Sequence, residues 1–246
     1  ENARVGRAVS AMTAGDLAAL GALMNQSHAS LRDDMEVSLP VVDQLAAIAQ
    51  ATDQIRLIQL DQNSLDWSEE FQKDWGFPWP RSVYSAVIDF CVRSGATAII
   101  FDVLFTETSN HGVSDDEDMG AAIARSGRFI GAVQLSRNQG RTKAWPENLS
   151  TRDFPVASLD EYLARHAGSR IVMARAAFPI PELATNCTVL GDVSGIVDRD
   201  KVIRRVTPFR VFDSHFVPSL GLAGYLTAVD APLAIEDKVL YVGNTT

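Results

Sequence analysis

The sequence predicts a mixed α/β fold: a mostly parallel sheet with flanking helices and an antiparallel C-terminal part, preceded by an all-α helical segment. Three observations carry this. Apolar residues fall at helical spacing through residues 1–50. From residue 53 onward, short β-rich runs alternate with amphipathic stretches, the pattern of parallel strands joined by crossover helices. In the last third that alternation gives way to strand-like runs facing each other across an acidic turn.

In the first stretch, Val5, Ala8, Val9 and Met12 share one helical face. Gly15 then Asp16 read as a stop followed by an N-cap. Leu17, Leu20, Met24 and Leu31 form the next apolar stripe. Ser38 and Pro40 open a third helix through Val42, Leu45 and Ile48, with serine as cap and proline in the first turn.

The main stretch begins with Ile55–Leu60, a strand-like run ending in Asp61. Pro80 opens a helix through Val83, Val87, Phe90 and Cys91, which Gly95 ends. Thr97–Phe101 is β-rich and runs into Asp102. Asp115 or Asp116 caps a helix through Met119, Ile123 and Ala124, closed by Gly127. Phe129–Leu135 is a strand, Ser158-Leu159-Asp160-Glu161 a capping box, and Ile171–Ala174 a strand. Val189–Val193 and Val202–Phe212 flank Asp198-Arg199-Asp200 as a hairpin or meander. Pro218–Ala228 is helical and Val239–Val242 a final strand.

Composition excludes several classes. The net charge of −9 and the lack of a Lys/Arg run argue against a nucleic-acid partner, which needs a basic surface. Cys91 and Cys187 make no C-x-x-C pair, so zinc or thioredoxin-type chemistry has no support; a disulfide between them stays open. His111, His166 and His215 are widely spaced, and no G-x-S-x-G elbow is present. No apolar stretch approaches the ~20 residues of a membrane span, so this piece reads as soluble. It opens on Glu1 rather than Met, which leads to the expectation that it is cut from a longer protein.

Two resemblances divide the chain. Glu1-Asn2-Ala3-Arg4-Val5, Gly15-Asp16, Leu20-Gly21, Leu23-Met24, Ser27 through Asp34, Glu36-Val37 and Pro40…Asp43 resemble the C-terminal region of galactokinases. That likeness covers residues 1–50 and lacks the phosphate-binding glycine loops that kinase chemistry needs. His28 therefore reads as a packing residue, and residues 1–50 as a helical galactokinase-like fusion segment. An engineered origin fits better than a natural one, because half a domain rarely folds alone.

Over residues 53–246, Asp61-Gln62-Asn63-Ser64-Leu65, Pro78-Trp79-Pro80-Arg81…Tyr84, Gly95-Ala96…Ile99 through Phe105, Asp115-Asp116, Gly191-Asp192…Asp198-Arg199-Asp200…Arg204-Arg205 and Pro218-Ser219-Leu220 occur in order. This set resembles the second class of CHASE sensor domain. The resemblance implies an extracytoplasmic (periplasmic or extracellular) ligand-sensing module of a bacterial membrane receptor. In such receptors transmembrane helices lead to a cytoplasmic cyclase, diguanylate cyclase or histidine kinase. It also implies a homodimer and no catalysis in this domain. Lys201 departs from the family's usual glycine after the acidic turn.

The candidate ligand-binding residues are Asp61, Arg81, Asp102, Glu107 and Asp116. Asp61 and Asp102 end two predicted parallel strands, the edge where open α/β sheets bind ligands. Glu107 and Asp115-Asp116 follow in the next loop. Convergent carboxylates suit a small ligand or a hard divalent cation, with Asp61 and Asp102 as candidate metal ligands. The competing reading is that these acids cap backbone amides. Trp79 is expected beneath this edge, and Arg81 paired with Asp61 or Asp102, or holding an anionic ligand. One of Arg204 and Arg205 faces inward and is a candidate partner for Asp192 or Asp198. Asn138-Gln139-Gly140-Arg141 reads as a mobile loop, a lid or partner surface. A second functional reading is a metal-dependent hydrolase-like enzyme using Asp61, Asp102 and Asp116.

Overall fold

The computed structural model describes residues 2–33, 55–72, 75–165, 171–197, 203–205, 207–229, 231–236 and 239–243. The chain divides into two compact units, Glu1–Pro80 and Arg81–Thr246. The helix expected from Ser38 and Pro40 and the turn at Asp198–Asp200 with Lys201 lie outside the described residues, as do the side chains of His28, Arg204 and Arg205.

In the first unit, α1 (Asn2–Ala14) and α2 (Leu17–Asp33) form a helical hairpin. Gly15 adopts φ +71°. Its amide donates to the Met12 carbonyl at 3.1 Å and the Asp16 amide to Ala11 at 2.9 Å, closing α1 by a left-handed glycine stop. Asp16 then accepts the Ala19 amide at 2.9 Å as the cap of α2. Both boundaries are those the sequence predicts. Ala11, Leu20 and Leu23 are buried, and Arg4 reaches the Gln26 carbonyl at 2.9 Å across the antiparallel pair.

The run Ile55–Leu60 departs from expectation. It is not a strand, and Ile55, Leu57, Ile58 and Leu60 are 42–52% exposed. A strand exists only through a neighbour, and among the described residues none pairs with this run. Asp61 instead caps α3 (Gln62–Phe71), a helix absent from the sequence reading. Trp67 packs on Phe71 and Trp75 at centroid distances of 5.9 and 6.1 Å, and Trp75 on Trp79 at 5.5 Å. The Trp79 indole N–H donates to Ser68 Oγ at 2.8 Å. Trp79 thus belongs to this aromatic row of the first unit.

The second unit opens with α4 (Arg81–Arg93), ended as predicted by Gly95 at φ +79°. Then come β1 (Ile99–Ile100), α5 (Val113–Ser126) with Gly127 as its left-handed cap, and β2 (Phe129–Ser136). Next are β3 (Val156–Ala157), α6 (Leu159–Arg165), β4 (Val172–Met173), β5 (Arg175–Ala177), α7 (Pro181–Ala184) and β6 (Val189–Asp192). The last third holds β7 (Ile196–Val197), β8 (Ile203–Arg205), β9 (Phe209–Phe212), β10 (His215–Pro218), α8 (Leu220–Ala228), β11 (Leu233–Glu236) and β12 (Val239–Val242).

Strand β2 is the axis of the main sheet. It pairs parallel with β1 and β6 and antiparallel with β5. Six of its eight residues are apolar or glycine, with Gln134 and Ser136 the exceptions near the end, as a strand covered on both faces requires. Phe129, Val133 and Leu135 join Ile88 of α4 and Met119, Ala122 and Ile123 of α5 in one core cluster. Ile130 and Val189 face the other way, onto Ala223 and Leu226 of α8. The antiparallel part follows: β9 and β10 form a hairpin turned by Asp213 and Ser214 at φ +49° and +64°, a two-residue loop of primed type. Strand β4 lies parallel to β9, and β11 lies between β3 and β12.

The predicted mobile loop is tied down. Ser136 Oγ accepts the Asn138 and Gln139 amides at 3.2 and 2.9 Å, and Thr142 bridges to Ala176. Both cysteines are free, Cys91 half-buried and Cys187 buried. A Cβ on Gly191 would lie 2.7 Å from the Leu220 Cα, so glycine sets how closely α8 approaches β6. Gly191→Ala should cost about 1–3 kcal/mol by overpacking. Gly221→Ala, in the same helix with open space around it, should instead stabilise by about 0.5–1 kcal/mol. Urea unfolding midpoints check both signs.

Candidate functional site

The acidic loop after β1 is built around Arg81, the first residue of α4. Its Nε lies 3.1 Å from Asp116 Oδ1, with the two side chains 7% and 1% exposed. Its Nη2 donates to the Glu107 carbonyl at 2.8 Å, and the guanidinium carbon sits 4.3 Å from the Phe105 ring centroid. The other Asp116 oxygen accepts the Ser109 amide at 2.8 Å. A planar guanidinium with an aromatic face and fixed acceptors is a rigid buried anchor.

Asp115 performs a capping role at a distance in sequence. It accepts the Arg81 amide at 2.6 Å, the Ser82 amide at 3.0 Å and the Ser109 hydroxyl at 2.6 Å. The first amides of a helix have no partner within it, and this carboxylate supplies one. The sequence places Asp115 or Asp116 as the cap of their own helix. In the structure both lie in the first turn of α5, whose cap is Gly112, and they serve α4 and the loop instead. Burial raises the Asp115 pKa, but the hydrogen bonds from Ser109, Arg81 and Ser82 outweigh it and hold the carboxyl below its ordinary value. Burial also pushes the nearby Tyr84 hydroxyl up, opposed by the charge of Arg81.

Of the five predicted ligand-binding residues, Arg81, Glu107 and Asp116 meet here. Glu107 takes part through its carbonyl, and its side chain is exposed. Asp102 lies just past β1 with an exposed side chain. Asp61 belongs to the first unit and caps α3, accepting the Ser64 amide at 2.9 Å and hydroxyl at 2.8 Å. It does not end a strand. The ion pair expected between Arg81 and Asp61 or Asp102 is made with Asp116, because α4 and α5 pack side by side and bring that carboxylate to the guanidinium. Among the described residues no three His, Cys, Asp or Glu side chains are grouped to hold a metal ion.

A second buried pair lies at the end of β6. Asp192 Oδ2 is 3.1 Å from Arg210 Nη1, the side chains 3% and 7% exposed. Asp192 Oδ1 also accepts the Leu135 and Ser194 amides at 3.1 Å each and the Ser194 hydroxyl at 2.7 Å. Arg210 Nη1 reaches the Leu135 carbonyl at 3.3 Å, while its Nε is buried without a partner among the described residues. The pair joins the main sheet to β9. Burial raises the Asp192 pKa, against the Ser194 hydrogen bond and the Arg210 charge. The sequence puts a candidate arginine partner for Asp192 at 204 or 205, whose side chains lie outside the described residues; among the described residues Arg210 fills the role. The available signal was a lone charge inside Phe209-Arg210-Val211-Phe212, a strand buried at every residue.

A small, wholly apolar hollow lies between the segment after β1 and α5, lined by Phe101, Phe105, Ile123, Phe129, Leu183 and Cys187. Burial pushes the Cys187 thiol up to about 12, so it is no nucleophile at neutral pH.

Asp116→Ala should cost about 3–5 kcal/mol in urea unfolding, because it leaves a buried guanidinium unpaired, whereas exposed Asp102→Ala should change stability by no more than about 0.5 kcal/mol. The two buried acids should also show opposite pH signatures. Asp115, with its folded pKa lowered, contributes stability that is present above its unfolded pKa and lost as pH falls through the folded value. Asp192, with its folded pKa raised, contributes stability present below its unfolded pKa and lost as pH rises through the folded value. Unfolding free energies should therefore show the gap between wild type and Asp115→Asn shrinking on acidification. The gap between wild type and Asp192→Asn should shift in favour of wild type over the same range.

Comparison with known proteins places the chain beside a sensor-domain family and a kinase. The family model described as the CHASE2 domain matches residues 17–244. Galactokinase from Roseiflexus sp. (strain RS-1) is 55% identical over 51 residues, 21% of this chain and 13% of that protein. The chain thus spans only a small part of that relative's length. No solved structure matches.

Proposed function

The chain belongs to the CHASE2 domain family, a family of extracytoplasmic sensor domains, and from that membership we propose that it is the ligand-sensing input domain of a bacterial membrane receptor. Its signal passes through membrane helices to a cytoplasmic cyclase, diguanylate cyclase or histidine kinase. The receptor works as a homodimer, and the domain itself carries out no reaction. Binding shifts the population between two arrangements of the domain, which requires different affinities for the two. The ligand is a small molecule met by the exposed carboxylates of Asp102 and Glu107, with Arg81 and Asp116 holding the loop behind them. Residues 1–50 are a galactokinase-derived helical segment joined to this domain.

The family match over residues 17–244 carries the reading. Two features of the geometry support it over the metal-hydrolase reading. Asp116 is buried against Arg81, and one oxygen of Asp61 is engaged as a helix cap. Among the described residues, no helix is long and apolar enough to cross a membrane.

A thermal-shift screen of the whole chain against divalent cations, nucleotides, sugars, amino acids and small carboxylates tests the reading. A ligand at a hundred times its Kd stabilises the folded state by about 2.7 kcal/mol, which raises Tm by roughly 5–10 °C in a chain of this size. One class should give a saturable rise that Asp102→Ala or Glu107→Ala abolishes, and galactose with ATP should give none. Turnover of a phosphoester or amide substrate lost in Asp102→Ala would instead favour an enzyme.

A further inference from the structure

Residues 142–149, between β2 and β3, form a strap that is fixed at both ends. Thr142 bridges to Ala176 of β5, and Leu149 is buried in the main core. Between them Lys143, Ala144, Glu147 and Asn148 are exposed. Trp145 ties the middle of the strap to the β9–β10 hairpin. Its ring lies parallel to the imidazole of His215, the first residue of β10, with centroids 4.3 Å apart and planes inclined by 13°. Phe178 packs edge-on to the same indole at 5.3 Å. The Trp145 amide donates to Asp213 Oδ2 at 2.7 Å, so the hairpin holds both the backbone and the ring of this residue.

His215 Nδ1 lies 2.8 Å from the Asp213 carbonyl oxygen. A carbonyl only accepts, so Nδ1 carries a hydrogen whether the ring is neutral or charged. The lone pair of the neutral ring is then on Nε2, and that nitrogen takes up the proton. Proton uptake puts a positive charge on a ring already stacked on an indole, whose face attracts cations. The charged groups around the ring favour the same direction. Asp213 in the turn and Glu147 on the strap are acidic, and Lys143 on the strap is basic. On β9 the charged residue is Arg210, which is buried against Asp192. We propose that the His215–Trp145 stack is a proton-operated clasp, in which the imidazolium holds the strap to the hairpin more tightly than the neutral imidazole does. Acid shifts the strap toward the clasped arrangement, and loss of the proton loosens it. A domain of an extracytoplasmic family meets the pH of its surroundings directly. The clasp uses none of the residues of the small-molecule site proposed above and stands independently of it.

Nuclear magnetic resonance of the full chain tests this between about pH 8 and pH 5, the range in which histidine titrates. The chain has four tryptophans, and Trp145→Phe identifies the indole N–H signal of Trp145. That signal should follow a single titration in wild type. Exchange of the Trp145 backbone amide, corrected for the intrinsic effect of pH, reads the clasp itself. Its protection should rise about two- to fivefold on acidification, the factor a cation on an exposed aromatic face supplies. His215→Phe keeps a ring on the indole without a titrating nitrogen, and His215→Gln removes the ring. In both the titration and the rise in protection should vanish, with far-UV circular dichroism checking the fold. Wild-type protection that stays level or falls on acidification overturns the clasp, and that result needs no variant. A rise that persists in either folded variant overturns it too, because the proton then acts at another group.

Discussion

The pairing of Arg81 with Asp116 is the constraint on which the candidate site depends. Two helices, α4 and α5, must lie side by side to cover one face of β2, and the loop after β1 must pass between their first turns. A guanidinium and two adjacent carboxylates solve that junction together. Asp116 neutralises the arginine and Asp115 satisfies the amides that start α4. Ser109 links both acids, and the Glu107 carbonyl takes a second guanidinium donor. Buried ionic groups are tolerated when each is paired and hydrogen-bonded, and here five residues supply one another. The loop that carries Asp102 and Glu107 outward is therefore anchored at its far end by a rigid core element.

The Asp192–Arg210 pair repeats the logic at the other side of β2. It completes the main sheet where β6 runs out, since Leu135 finds Asp192 and Ser194 side chains in place of a ladder partner. It also fixes β9, and with it the hairpin, to that sheet. The acids at the two junctions differ in balance. Hydrogen bonds dominate around Asp115, whereas burial dominates at Asp192. Among the described residues Arg210 has a buried donor without a partner.

What the sequence made legible was set by locality. The glycine stops at Gly15, Gly95 and Gly127 follow from backbone freedom at one residue, and each ends its helix as read. The buried strands β2 and β6 follow from composition alone. Ile55–Leu60 shows the limit, since six residues of strand character say nothing of whether a neighbour is present. The acids show it again. Asp115 and Asp116 have the local pattern of an N-cap, yet their partners stand 34 and 35 residues away. Asp61, read as a sheet-edge ligand, has its partner three residues on, in a helix the apolar pattern did not announce. The family resemblance reached further than any of these because it draws on the whole order of motifs rather than on local spacing.

The most direct test of the central junction is a double-mutant cycle on Arg81→Met and Asp116→Leu, read by urea unfolding. If the pair is an internal anchor, the two changes must couple by about 2–3 kcal/mol. The double variant should then be close to wild type in stability, because an apolar pair of similar volume can replace a buried ion pair. Additive losses, with the double variant worse than either single one, would mean that Arg81 and Asp116 act separately. The loop would then have no such anchor.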